Sequence, residues 1–453
     1  MADASFFDRR RTIAPPTFNR WLVPPAALSI HLAIGQAYAF SVFNLPMSKL
    51  LGITKSAPDD WSLTTLSYIF SLAIVFLGLS AAVFGRWVER VGPRLAMFTS
   101  ALCFSGGFMV GALGVYLHQF IVVLLGYGVI GGIGLGLGYI SPVSTLIKWF
   151  PDRPGMATGL AIMGFGGGAM IASPLSVGLM DHFKTATSMG VWETFVALGV
   201  LYFLFMMYGV LVVRLPSPDW KPSGAAPARQ VAAGANVEVN EAMRTPQFYF
   251  LWLVLCMNVS AGIGVLSQAS PMIQETVGVS AAAAGGFVGL LSLSNMIGRF
   301  FWSSTSDYIG RKATYTIFFL LGIVLYALTP TLGRSGNVAL FVLAYAVILS
   351  MYGGGFATIP AYLRDMFGTR YVGAIHGLLI TSWSVAGIAG PVLVNYIREY
   401  EIAHGVPKAD AYNITMYVMA GLLVVGFFCN LFIRDVHSRH HMTEAAETLG
   451  PAE

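Results

Sequence analysis

Charge is scarce in this sequence. Of its 453 residues only 10% are Asp, Glu, Lys or Arg, and 56% are hydrophobic, whereas soluble domains run at roughly 25% charged. Water is therefore excluded as the main solvent. Cysteine is rarer still: Cys103, Cys256 and Cys429 all fall within apolar runs, where they read as small buried hydrophobes and not as a disulfide framework or a metal site. Acidic residues are missing from the middle of every apolar run. All 21 lie in loops, tails or run ends, which removes buried carboxylates as metal ligands, paired catalytic acids or proton carriers. No soluble signalling domain has room to fold, and no convergent set of catalytic groups is apparent.

What is present is length in apolar stretches. A bilayer crossing takes about 20 mostly apolar residues, and twelve such stretches run from about 21–45 to about 413–433, with one at about 281–302. Lipid forces every backbone polar group to pair within a helix or a closed barrel, and runs this long exclude the barrel. The first run follows Arg9, Arg10, Arg11 and Arg20, is too long for a signal-peptide core and has no small-residue cleavage site; it reads as an uncleaved first span. The expected fold is an all-α membrane protein of twelve transmembrane helices.

The basic residues orient it. With both termini cytoplasmic, 19 of the 26 Lys and Arg residues fall on the inner side and six on the outer, as the positive-inside rule requires. The residue left over is Arg299, inside a span. A net charge of +5 is thus a matter of topology, with no nucleic-acid partner implied.

A shift of 218 residues superimposes the two halves. It carries Glu89 onto Asp307, Gly92 onto Gly310, Arg94 onto Lys312, Gly136 onto Gly354, Pro142 onto Pro360, Gly155 onto Gly373 and Gly159 onto Gly377. An even number of spans per half makes the repeat parallel, about an axis along the membrane normal. The expected organisation is a cytoplasmic tail over 1–20, six-helix bundles over 21–213 and 248–433, a cytoplasmic linker over 214–247 and a cytoplasmic tail over 434–453. Pro216, Pro218, Pro222 and Pro227 and an Ala/Gly-rich stretch make the linker read as flexible.

The run Gly85-Arg86-Trp87-Val88-Glu89-Arg90-Val91-Gly92-Pro93-Arg94 resembles the loop signature of the major facilitator superfamily. Ser303 to Lys312, which includes Asp307, Gly310, Arg311 and Lys312, resembles its second copy, with Ser303 in place of the usual glycine. The physical reason for the motif is that a carboxylate at a helix end binds the N-terminus of a neighbouring helix and nearby arginines, and so holds the inward ends together. Gly85, Glu89, Arg90, Gly92, Arg94, Asp307, Gly310, Arg311 and Lys312 are the candidate gating residues. A simple basic turn is the alternative. The stretch Gly132 to Pro142, with Lys148 to Gly155, Thr245-Pro246-Gln247-Phe248 and Asn295 to Arg299, resembles the oxalate/formate antiporter family and related monocarboxylate porters. The glycines of span four lack a preceding strand or a βαβ unit, so they mark close helix packing and not a dinucleotide site. Pro142, Pro174, Pro271, Pro360 and Pro391 are expected to let helices bend.

Arginine within a span costs about 2.5–3.5 kcal/mol on insertion scales, so Arg299 needs a reason. Its planar guanidinium offers parallel N–H donors suited to a carboxylate, and the resemblance implies that an arginine here binds substrate. The competing reading has it snorkel to the inner interface. Ser292, Asn295, Arg299 and Trp302 share a helical face, which suits a water-filled cavity. Further candidates for the cavity lining are His31, Gln36 and Tyr38 on span one, Tyr139 on span four, and His376 and Trp383 on span eleven; ordinary interhelical packing is the alternative for each. Oxalate carriers of the resembling family pair their arginine with a lysine on span eleven, yet no Lys or Arg occurs between Tyr371 and Ile397. One cation matches one carboxylate.

The expectation is accordingly a secondary transporter of a small monocarboxylate such as lactate, pyruvate or formate, by proton symport or anion exchange. The alternative is an oxalate/formate-type dicarboxylate antiporter, and more distantly a drug or cation exporter or a membrane sensor. It is expected to be no enzyme, to need no cofactor or metal, and to act as a monomer in the inner or plasma membrane.

Overall fold

The computed structural model describes residues 6–217, 220–222 and 236–442. Among them there is no strand beyond two isolated bridges, and the chain is helical almost throughout. Twelve long helical segments follow one another: α1 Arg20–Met47, α2 Leu63–Val91, α3 Pro93–Tyr116, α4 Phe120–Trp149, α5 Pro154–Phe183, α6 Val191–Val212, α7 Pro246–Val277, α8 Ala281–Ile309, α9 Arg311–Arg334, α10 Val338–Phe367, α11 Val372–Ala403 and α12 Asn413–Phe432. Eleven are long and apolar enough to cross a membrane. The twelfth, α8, matches the others in length with 29 residues and carries a row of polar side chains, Ser292, Asn295, Arg299, Ser303, Ser306 and Asp307 among them.

Three segments depart from a plain α-helix. Residues Gly35–Phe43 of α1 wind as a 3₁₀ helix, and Leu124–Gly131 of α4 widen into a π-helix. In α11 the first eight residues form a separate turn set that meets the rest at Ile380. The expected prolines all lie inside helices: Pro142 in α4, Pro174 in α5, Pro271 in α7, Pro360 in α10 and Pro391 in α11, joined by Pro330 in α9. The glycines of α4 let backbones touch. A Cβ on Gly134 would strike the backbone of Phe104 on α3, and one on Gly136 would strike Leu77 and Ser80 on α2.

The packing repeats. Helix α1 lies on α5 as α7 lies on α11, α2 on α4 as α8 on α10, and α3 on α6 as α9 on α12. Two seams join the first six helices to the last six, α5 against α8 and α2 against α11, and the repeat exchanges one seam for the other. Between α2 and α3, and between α8 and α9, the chain reverses at one glycine each. Gly92 sits at φ +85° and Gly310 at φ +90°, a region in which a side chain is strained, so the repeat places glycine at both.

The described parts of the tails and linker are tied to the helix ends. Ala14 and Leu215 exchange backbone hydrogen bonds with one another's strand-like segments, and Arg20 pairs with Asp152 at 2.8 Å. Val239–Met243 forms a short helix held between the ends of α2 and α10: Arg86 donates to Asn240 and Val237 to the Phe367 carbonyl at 2.9 Å. The end of the connection is therefore docked. Pro218, Pro227 and the Ala/Gly-rich stretch lie outside the described residues, as does the last tail from 443 onward.

Candidate substrate site between the two helix sets

Arg299 projects from the middle of α8 into the contact between both helix sets and is 0% exposed. This excludes the snorkelling geometry and also the expected water-filled surround: the side chain is sealed. Its Nε donates to Asn295 Oδ1 at 3.1 Å, one turn back on the same helix. One Nη donates at 3.3 Å to the carbonyl of Ile162 on α5, and the other has no hydrogen-bond partner. The rings of Phe165 on α5 and Phe356 on α10 lie 5.8 and 5.2 Å from its central carbon. Burying a guanidinium with a free N–H edge is costly, and that edge is what a planar anion would fill.

Aromatic rings close the space around it. Trp383 of α11 touches Phe356 at 4.5 Å, Phe165 at 5.2 Å, Tyr139 at 5.4 Å and Tyr38 at 6.2 Å between centroids. Its indole N–H and the Tyr139 hydroxyl lack partners. The Tyr38 hydroxyl lies 3.3 Å from that of Tyr352 on α10. His376 of α11 packs 5.8 Å from the Tyr139 ring, and neither of its ring nitrogens has a partner. Arg299, Asn295, Tyr38, Tyr139, His376 and Trp383 are thus brought together.

Three expected placements differ. Gln36 turns back into the first six helices, where its Oε1 accepts from the Tyr127 hydroxyl at 2.8 Å; two residues before Tyr38, it points away from the face that carries that ring. His31 lies beside Tyr139, but its two ring nitrogens face the backbone carbonyls of Ala161 and Tyr139 and not Arg299. Trp302 leaves the Arg299 face and donates to Ser350 on α10 at 3.1 Å. Sequence reasoning missed Phe165, Phe356 and Tyr352. A signal existed for the first, since the 218-residue shift carries Phe165 onto Trp383, and those rings meet.

At the face bearing the termini, the seams are tied crosswise. Asp307 at the end of α8 accepts from the backbone N–H groups of Gly155 and Met156 at 2.9 and 2.8 Å, the first turn of α5, and from Arg311 at 2.6 Å. Glu89 at the end of α2 accepts from the Gly373 N–H at 3.1 Å, the first turn of α11, and from Lys148. Each carboxylate meets the positive end of a helix from the other set. Gly85 lets α2 approach α11, since a Cβ there would stand 2.8 Å from the Ala374 backbone. The remaining motif residues stand apart from these ties. Arg90 is exposed, Arg94 donates to the Phe6 carbonyl at 3.0 Å, and Lys312 donates to the carbonyls of Leu431 and Ile433, both at 2.8 Å.

A duplicated six-helix unit with both seams tied by repeat-related carboxylates agrees with the sequence comparison, in which the profile of the Major Facilitator Superfamily matches residues 26–391. The chain belongs to that superfamily. Like its relatives it is a multi-pass membrane transporter and not an enzyme. It is 27% identical over 374 residues to the oxalate:formate antiporter of Oxalobacter formigenes, covering 82% of this chain and 83% of that one. It is 22% identical over 431 residues to apicoplast pyruvate carrier 1 of Toxoplasma gondii, covering 83% and 76%. Among solved structures, the fucose:proton symporter of Escherichia coli superimposes with a TM-score of 0.65 at 14% identity, covering 92% of this transporter and 100% of the symporter; at that identity the likeness concerns the fold.

Proposed function

We propose that the protein carries a small monocarboxylate of the lactate, pyruvate or formate kind across the inner or plasma membrane, by proton symport or anion exchange, with Arg299 as the carboxylate anchor. The observation that carries this reading is the sealed guanidinium with one unpartnered N–H edge, bedded between aromatic rings from both helix sets. A second carboxylate would meet no Lys or Arg on α11 before Arg398, which is taken by Glu275, and this favours monoanions. An oxalate-type dianion is the second reading, favoured by the similarity to an oxalate:formate antiporter. The six-helix units 21–213 and 248–433 rock about the site, and the Asp307 and Glu89 ties hold the terminus-bearing face shut in one of the two access states. The excess of Lys and Arg on that face makes it the cytoplasmic one.

The test is uptake of labelled lactate, pyruvate, formate and oxalate into proteoliposomes. Each charge-assisted hydrogen bond contributes about 1.5–3 kcal/mol, so Arg299→Ala is expected to weaken carboxylate binding by about 100-fold or more. Arg299→Lys retains charge without the parallel donors and should fall between. Undiminished uptake by both variants would remove Arg299 from the mechanism.

A further inference from the structure

His31 has a hydrogen-bonding problem that one proton solves. Its Nδ1 lies 2.9 Å from the Ala161 carbonyl of α5 and its Nε2 lies 3.2 Å from the Tyr139 carbonyl of α4. A carbonyl oxygen only accepts, so each contact needs an N–H on the ring. A neutral imidazole has one N–H and sets its other lone pair against an oxygen lone pair. Only the doubly protonated ring satisfies both. The pocket is therefore shaped for imidazolium, although the side chain is fully buried.

The position of this ring relative to the anion anchor gives the geometry its meaning. Ala161 and Ile162 are consecutive residues of α5. The carbonyl of the first faces His31, and that of the second accepts from Arg299. Two potential cations thus hang on adjacent peptide groups of one helical turn. The other groups around His31 offer no counter-charge. From α4 comes the Tyr139 ring, stacked at 5.3 Å; from α11, His376 lies beyond that ring; α5 presents Gly164; α6 meets α1 at Ser29 and Ile30, through Gly209. Among the described residues no Asp or Glu is buried there. With the anchor empty, a second proton on His31 would face an unneutralised guanidinium in a dry interior. A carboxylate on Arg299 removes that repulsion and leaves the two carbonyls to favour the charged ring.

We infer that His31 is the proton-binding group of the transport cycle, charging when a carboxylate docks on Arg299 and discharging when the anion leaves. The assignment rests on the monocarboxylate reading and deepens it. A carboxylic acid dissociates at the outer mouth; its anion goes to Arg299, its proton goes to the vacant nitrogen of His31, and both are released on the far side. One neutral acid moves per cycle and no net charge crosses. Linkage makes the effect reciprocal: if the anion favours the proton, the proton favours the anion by the same factor.

Two measurements test this. Binding of lactate or pyruvate to purified wild-type protein in weakly buffered solution should draw about one proton from the medium per anion bound. In proteoliposomes, His31→Gln keeps a donor but cannot take an extra proton; the ratio of pH-gradient-driven accumulation to exchange at equal pH should fall about tenfold or more, and the pH dependence of lactate affinity should flatten. Wild-type binding without proton uptake would overturn the assignment while leaving the Arg299 anchor in place. So would a His31→Gln protein with the wild-type ratio, or a loss that follows His376→Gln instead. Absence of any monocarboxylate binding or exchange by the wild type would sink both readings. The proton-uptake measurement needs no variant, so a misfolded His31→Gln protein would not rescue the idea.

Discussion

Asp307→Asn should unlock one face of this transporter. The carboxylate is nearly buried, with a side chain 9% exposed, and Arg311 beside it is 7% exposed, so solvent screening weakens these contacts little. An Asn at this position keeps one acceptor oxygen, loses the charge, and turns an NH₂ group toward one of the two N–H groups of Gly155 and Met156. Charge-assisted hydrogen bonds contribute about 1.5–3 kcal/mol each, and a carboxylate at a helix N-terminus adds about 0.3–1 kcal/mol. A net loss of about 2 kcal/mol raises the open population about 30-fold. Arg311 is not orphaned, because it keeps Asp365 at 3.1 Å and the Ser306 hydroxyl. The reporter is Thr158→Cys, in a background with Cys103, Cys256 and Cys429 replaced by Ser. Thr158 is fully buried at this seam and donates to the Ala357 carbonyl at 2.7 Å. Its maleimide labelling rate should track the open fraction and rise about 30-fold in Asp307→Asn. Asp365→Asn, which disturbs Arg311 without touching α5, serves as the control. Equal labelling rates in the Asp307→Asn protein and its parent would refute the latch.

Three further outcomes are expected. Asn295→Ala frees the Nε of Arg299 to wander and should weaken lactate affinity about tenfold, the equivalent of one hydrogen bond to a charged group; Asn295→Asp should weaken it further, since a carboxylate there competes with the substrate. Gly298→Ala places a methyl group against the Ser350 backbone, between α8 and α10, and should cost about 1–3 kcal/mol, seen as a lower Tm with unchanged substrate selectivity. Burial raises the pKa of the Asp60 carboxyl, but N–H donors from Ala57, Leu51 and Gly52 outweigh it and hold the pKa below the usual range. A depressed carboxylate stabilises above its unfolded pKa and loses that contribution as pH falls through the folded one. Pepsin cleavage of the 48–60 loop should therefore increase at the acid end, and Asp60→Asn should be cleaved readily across the same pH range.

The membrane fold was legible because lipid leaves the backbone few options, and the 218-residue repeat announced which helices would play equivalent parts. Arg299 was legible for a related reason: a charge inside an apolar run has to be explained. Gln36 was not, because nearness in sequence to Tyr38 is not nearness on the helix: residues two apart point to opposite sides, and Gln36 turns to Tyr127. Trp302 shows the same limit from another direction. Its spacing shares a face with Arg299, but a long indole at the margin of that face finds the Ser350 hydroxyl on α10. Phe165 and Phe356 were hidden among 31 phenylalanines, since an aromatic in an apolar helix carries no mark of which face it lies on. The motif basic residues split as they do for want of a local rule: charge alone does not say that Lys312 will end its reach on the carbonyls after α12 while Arg311 turns toward Asp307.

The two latches and the sealed anchor set a condition on any working cycle. Moving a two-state equilibrium from 1:99 to 99:1 takes about 5.5 kcal/mol, and two repeat-related carboxylates, each engaging a helix N-terminus of the opposite set, together supply about that much. They can hold the terminus-bearing face shut, but they act whether or not substrate is present, so by themselves they give a preference and not a coupling. Coupling needs a term that changes with occupancy. With Arg299 as the proposed anchor, its unpartnered N–H edge, closed in by Phe165, Phe356 and Trp383, supplies it: an unfilled site would seal an uncompensated cation in a buried interior, and a filled one would not. On the proposed reading, occupancy lowers the energy of the sealed state that lies between the two openings, while the ties at Asp307 and Glu89 decide which opening is preferred at rest. Loss of a tie should shift the resting orientation and spare carboxylate selectivity, and loss of the guanidinium should do the reverse.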